Sequence, residues 1–129
     1  MIRFTYAFMA LFLGTLLMTD TAHAQTLEDT LYLDLKDGRV VIDLRPDLAP
    51  KHVARIKQLV REGFYDGLTF HRVLDGFMAQ GGDPEGTGMG GSGQNLPAEF
   101  SQEPFVRGIL GMARSSDINS ADSQFFIMF

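Results

Sequence analysis

The sequence predicts a mainly β domain, a barrel or sandwich of short strands with one helix covering an opening. Three observations carry this. Leu31, Leu33 and Leu35 alternate with Tyr32 and Asp34, the period-2 pattern of a half-buried strand. Val53, Ile56, Leu59, Val60 and Phe64 recur at three- and four-residue steps, as on one amphipathic helix. The remaining apolar runs are short and separated by Gly, Pro and Asp turns, as in all-β barrels.

The first 24 residues stand apart. Arg3 precedes an apolar run over 4–18, and a polar step at Thr19, Asp20 and Thr21 leads to Ala22-His23-Ala24 before Gln25. This is the layout of a secretory signal peptide. The run is shorter than the ~20 residues of a spanning helix, so cleavage between Ala24 and Gln25 is expected, leaving a periplasmic or secreted domain over 25–129 with no membrane attachment. A strand over 30–35, a turn centred on Asp37-Gly38 and a β-branched strand over 40–44 make a hairpin. Pro50 suits the first turn of the helix, and Gly63 ends it. Lys51, Arg55, Lys57 and Arg61 fall on its outer side, where His52 is also expected to be exposed. Short strands follow over 68–74, 77–80, 109–113 and 123–129, with a turn-rich surface loop over 81–97 and a polar loop over 114–122.

Composition narrows the function. The chain is 129 residues long, a one-domain length. It has no cysteine, hence no disulfide or thiol chemistry. Its net charge of −5 argues against nucleic acid and anionic membranes as partners. A monomer is expected. Gly86-Thr87-Gly88-Met89-Gly90-Gly91 has the form G-x-G-x-x-G, but Ser92-Gly93-Gln94-Asn95-Leu96-Pro97 cannot open a helix behind it. No dinucleotide or other cofactor is therefore expected; the stretch reads as a flexible loop beside a groove.

The chemistry concentrates in Phe70-His71-Arg72-Val73-Leu74-Asp75-Gly76-Phe77-Met78-Ala79-Gln80-Gly81-Gly82-Asp83. One arginine, two large apolar side chains and one amide lie between positions 72 and 80, across a Gly-pivoted turn. Such a set can grip and polarise an uncharged backbone group without covalent chemistry. On spacing alone, simpler readings compete: Arg72 as a surface cation paired with Asp75 or Asp66, Gln80 as a solvated strand amide, Phe77, Met78 and Phe126 as core. His71 lacks the partners of a triad or a metal site, and no metal is expected.

Asp66-Gly67-Leu68-Thr69-Phe70-His71-Arg72-Val73 running into Gly76-Phe77-Met78-Ala79-Gln80-Gly81-Gly82-Asp83 closely resembles the signature of cyclophilin-type peptidyl-prolyl cis–trans isomerases. Gly108-Ile109-Leu110-Gly111-Met112-Ala113-Arg114, followed by Asn119-Ser120-Ala121-Asp122-Ser123-Gln124-Phe125-Phe126-Ile127, resembles the family's second block. Ala49-Pro50-Lys51 and Gly63-Phe64-Tyr65 match too. The resemblance implies isomerisation of X–Pro bonds in proline-containing polypeptides, here in the folding of exported proteins. Arg72 matches the residue that polarises the prolyl amide and Gln80 the glutamine that bonds the substrate backbone. Phe77, Met78 and Phe126 match the proline pocket, and Ala113, Arg114 and Gln124 the groove beside it. Phe70 and Phe125 are left as core. Many relatives carry Asn at Arg114, which implies contact through its backbone, and Gly at Asp122, where a positive φ would strain an aspartate. The implied fold is a cyclophilin-like antiparallel β-barrel capped by a helix, its C-terminal strands and second helix missing because the match stops at Phe129. A proline-peptide binding module or holdase with little turnover is the alternative.

Overall fold

The computed structural model describes residues 27–129; the expected signal peptide and its Ala24–Gln25 junction lie outside them. A 3-10 turn at Leu27–Asp29 leads into β1 (Thr30–Leu35), which pairs antiparallel with β2 (Gly38–Asp43). The hairpin is as expected, but its loop is Lys36-Asp37, with Leu35 opposite Gly38. Gly38, at φ 147°, begins the ladder where the Asp-Gly turn was placed.

Helix α1 (Pro50–Arg61) starts with proline in its first turn, and its N-cap, Ala49, has no side chain with which to bond the free N–H groups. Glu99 does this from a distance. Its carboxylate accepts from Lys51 N (3.0 and 3.1 Å) and His52 N (3.0 Å), a negative charge on the positive end of the helix. At the other end, Gly63 N donates to Val60 O and Phe64 N to Leu59 O, both at 3.0 Å, the bonds of a Schellman cap. The buried face carries His52, Val53, Ile56 and Leu59. His52, expected exposed, is only 8% accessible, because its Nε2 lies 2.8 Å from Pro97 O. Glu99 and His52 thus pin the segment around Pro97 onto the helix, and Leu96 N donates to Ala121 O (2.7 Å) just beyond.

The other strands are β3 (Arg72–Leu74), β4 (Met78–Gly81), β5 (Leu110–Met112) and β6 (Phe125–Met128). They form one antiparallel sheet in the order β3-β4-β6-β5. β3 begins later than the expected position 68 because Leu68 N is engaged in a turn with Tyr65 O. The entry to β6 is locked against the end of β4: buried Ser123 donates its hydroxyl to Gly82 O (2.7 Å), and Tyr65 Oη donates to Ser123 O (2.9 Å). Burial, reinforced by the charge of Asp122, pushes the Tyr65 phenol well above its ordinary range. Phe125 meets Tyr65 and Phe70 edge to face, at 5.8 and 6.1 Å between ring centres.

Among the described residues no strand pair joins the hairpin to the four-stranded sheet. The fold is therefore mainly β with one helix, and its sheets are not closed into a barrel. A hollow of about 1610 Å³ separates them, lined by Leu31, Leu33 and Ile42 of the hairpin, Val53 and Ile56 of α1, and Ile127 of β6. Ion pairs from Lys57 to Asp29 (2.5 Å) and from Arg61 to Glu28 (2.5 Å) hold the start of the hairpin to α1.

Glu99→Ala should remove the only side-chain cap described for α1, at a cost of about 1 kcal/mol. For a domain of this size that lowers Tm by about 4–8 °C. Thermal melting by circular dichroism checks it, and an unchanged Tm would show that the cap contributes nothing.

Candidate active site

One ladder row crosses the whole sheet. Arg72 on β3 pairs with Gln80 on β4, Gln80 with Phe126 on β6, and Phe126 with Gly111 on β5. Cross-strand partners project to the same face, and alternate residues share it. The row thus sets Arg72, Gln80 and Phe126 side by side, with Met78 two residues along β4. Gln124, two residues before Phe126, continues the face, where its carbonyl accepts from Ala113 N (2.9 Å).

Hydrogen bonds connect this face in one direction. Arg72 Nη1 donates to Gln80 Oε1 (3.3 Å), Gln80 Nε2 donates to Gln124 Oε1 (2.9 Å), and Gln124 Nε2 donates to the carbonyls of Gly88 (3.0 Å) and Gly90 (2.8 Å). The direction is dictated from the glycine end. Carbonyls only accept, so Gln124 must turn its NH2 toward them and its oxygen toward Gln80. Gln80 must then present its own oxygen to the guanidinium. Among the described residues Arg72 makes no ion pair, with Asp66, Asp75 or any other carboxylate. Its charge is held in place without being neutralised.

An apolar shelf lies beside it. The Phe126 ring packs against Phe105 at 5.3 Å between centres. Both rings lie over Gly111, where a Cβ would come within 2.6 Å of each. Met78 is buried at 4% exposure, whereas Phe77 is 50% exposed in the turn before β4. Arg114 lies exposed two residues past β5, donating Nη1 to Ser115 O (2.8 Å), with its guanidinium carbon 6.0 Å from the Phe100 ring centre. Of the residues singled out in the sequence, Arg72, Gln80, Gln124, Phe126 and Met78 thus share a face. Ala113 meets it through its backbone, and Phe77 and Arg114 stand at its margins. Phe105 escaped the sequence reading; Gly111 inside a strand was the signal that an aromatic group approaches closely there.

The glycine loop, expected as a flexible flank, is laced by hydrogen bonds. Asp83, 1% exposed, accepts from Glu85 N (2.8 Å), Thr87 N (3.0 Å) and Gly88 N (2.6 Å). Asp122 accepts from Ser92 N and Gly93 N (both 2.9 Å) and from the Ser92 hydroxyl, which also receives Arg55 Nη2 (2.8 Å). No non-glycine residue among those described has positive φ, so Asp122 is not strained; it is a second post for the loop. Among the described residues no group of His, Cys, Asp and Glu is placed to hold a metal ion, and no helix is long and apolar enough to cross a membrane.

Residues 30–129 match the family described as cyclophilin type peptidyl-prolyl cis-trans isomerase/CLD. The chain belongs to the cyclophilin-type peptidyl-prolyl isomerase family. A probable peptidyl-prolyl cis-trans isomerase of Brucella suis is 58% identical over 135 aligned residues, covering 95% of this chain and 67% of the relative. Peptidyl-prolyl cis-trans isomerase B of Bacillus subtilis is 46% identical over 102 residues, 77% of this chain and 71% of the relative. Among solved structures, a cyclophilin-type isomerase of Cryptosporidium parvum, crystallised in the presence of the dipeptide Ala-Pro, is similar with a TM-score of 0.72 and 35% identity. That likeness covers 78% of this chain and 67% of the other. Cyclophilin membership makes proline-containing peptides the substrate class of this isomerase.

Burial alone would raise the Asp83 pKa. The N–H groups of Glu85, Gly88, Gly90 and Thr87 outweigh that and hold it at about 2, below the ordinary 3.8. A carboxyl depressed in the folded state contributes stability above its unfolded pKa and loses it as pH falls through the folded value. Between pH 3.8 and about 2 the Tm of the wild type should therefore fall more steeply than that of Asp83→Asn. Parallel acid profiles of the two proteins would contradict this.

Proposed function

We propose that this isomerase accelerates X–Pro rotation in exported polypeptides as they fold, and does so by electrostatics and shape alone. Rotation about the prolyl amide is opposed by resonance, with a barrier of ~18–20 kcal/mol. No bond is made or broken, so the reaction calls for neither nucleophile nor acid/base pair. At the twisted transition state the amide nitrogen becomes pyramidal and gains a lone pair. A cation aimed at that lone pair stabilises the twisted state more than the planar one.

The un-neutralised guanidinium of Arg72, held by Gln80 beside the Phe126 shelf, is the observation that carries this reading. In it Arg72 polarises the prolyl nitrogen, while Gln80 orients Arg72 and bonds the substrate backbone. Phe126, Met78 and Phe77 cradle the pyrrolidine ring, and Ala113, Arg114 and Gln124 guide the flanking chain. The signal-peptide pattern of residues 1–24 supports a periplasmic or secreted site of action. The cyclophilin-like fold is the frame in which these residues would work, its four-stranded sheet carrying Arg72, Gln80 and Phe126. A second reading, a proline-peptide holder with little turnover, is favoured by the open hollow between the two sheets.

A protease-coupled cis-to-trans peptide assay separates the two. The isomerase should lose about 10²–10³-fold in kcat/KM on Arg72→Ala, with peptide affinity little changed. Binding without turnover in the wild type would favour the holder. Expressed from its first residue in a bacterium with an outer membrane, the chain should be recovered from the periplasm beginning at Gln25. Retention of residues 1–24 would contradict export by cleavage.

A further inference from the structure

We infer that Asp83 is a positioning residue for the isomerase site, acting through the glycine loop and Gln124 on Arg72. This rests on the role proposed above for Arg72. Asp83 does not belong to the catalytic face; its buried carboxylate is turned into the loop. Its two oxygens gather the N–H groups of Glu85, Thr87 and Gly88, and the Thr87 hydroxyl donates at 3.4 Å. With the Gly88 N–H drawn inward and Gly90 packed against the carboxylate, the two glycines offer their carbonyls to the two hydrogens of the Gln124 amide. The loop closes so tightly that a Cβ on Gly90 would overlap Asp83 Oδ1.

Consider the loop without that carboxylate. The N–H groups of Thr87 and Gly88 would lose their acceptor, and the carbonyls of Gly88 and Gly90 would no longer be held toward Gln124. Gln124 would then be free to rotate its amide, Gln80 would lose the acceptor that sets its own orientation, and Arg72 would lose its fixed acceptor. The two-carbonyl grip on Gln124 turns one buried negative charge into control over a cation four hydrogen bonds away. Neither Asp83 nor the loop needs to touch substrate.

The test is a double-mutant cycle on the full chain. Asp83→Asn keeps the size of the side chain but puts an NH2 where donors must be accepted. It should lower kcat by about ten- to a hundredfold, with KM changed less than about twofold. In a Gln124→Ala background, Asp83→Asn should cost almost nothing more, because the link it acts through is already cut. Additive losses, or wild-type kcat in Asp83→Asn, would overturn the inference. Should Asp83→Asn fail to fold, Gly90→Ala attacks the same clamp from the loop side and should give the same kcat loss and the same non-additivity; wild-type kcat there would overturn the inference equally. NMR supplies a readout that needs no turnover. The Gln124 side-chain amide hydrogens should be shifted and protected in the wild type and should move to free-amide positions in Asp83→Asn; unmoved signals count against the inference. A wild type that binds peptide without turnover would refute the role of Arg72, whereas turnover that needs Arg72 but ignores Asp83 refutes only this step.

Discussion

In the register of β4 against β6, Gln80 stands opposite Phe126 and Ala79 opposite Ile127. The remainder of the site is built outward from this pairing. β3 adds Arg72 on one side of Gln80, and β5 adds Gly111 on the far side of Phe126. A slip of one residue would turn every side chain of a strand to the other face. The guanidinium, the amide and the aromatic ring would then no longer share a groove. The buried bonds of Ser123 to Gly82 and of Tyr65 to Ser123 guard that register at the point where β6 enters the sheet.

On this frame the proposed chemistry depends on polarity as much as on position. A cation useful for prolyl rotation must be fixed in direction yet left with its charge. A carboxylate partner would fix it and cancel it. Gln80 fixes it with a neutral oxygen, and Gln124 with the glycine carbonyls decides which end of Gln80 is oxygen. The negative charge inferred to organise the arrangement, Asp83, is held at a distance and spent on backbone N–H groups. Each neutral bond in such a row contributes only about 0.5–1.5 kcal/mol to stability. In the proposed mechanism its effect on rate comes instead from orientation, where a small misplacement of a reacting group is costly.

Much of the frame could be read along the chain. Pro50, the apolar steps from Val53 to Leu59 and Gly63 marked the helix nearly to its ends, and the alternation of leucines marked the hairpin. His52 was misplaced because its residue type concealed its position: it lies four residues before Ile56 and seven before Leu59, on the buried stripe. The strands proved shorter than their apolar runs because turns such as Tyr65–Leu68 claim backbone groups first. Within the site, the motifs pointed to Arg72, Gln80 and Phe126, but no local pattern could show that they share one row, since β4 and β6 are far apart in sequence. Phe105, Asp83 and Asp122 act through long-range packing or loop closure, which neither periodicity nor spacing records. The open hollow likewise arises from strand pairing rather than from composition.

The most direct measurement is a crystal structure of the chain with a short peptide containing Ala-Pro. The proline ring should rest on Phe126 between Met78 and Phe77, with the Arg72 guanidinium within hydrogen-bond reach of the prolyl amide and still bonded to Gln80. A peptide seated elsewhere, for instance in the hollow between the sheets, or an Arg72 turned away from a proline bound on the shelf, would contradict the account.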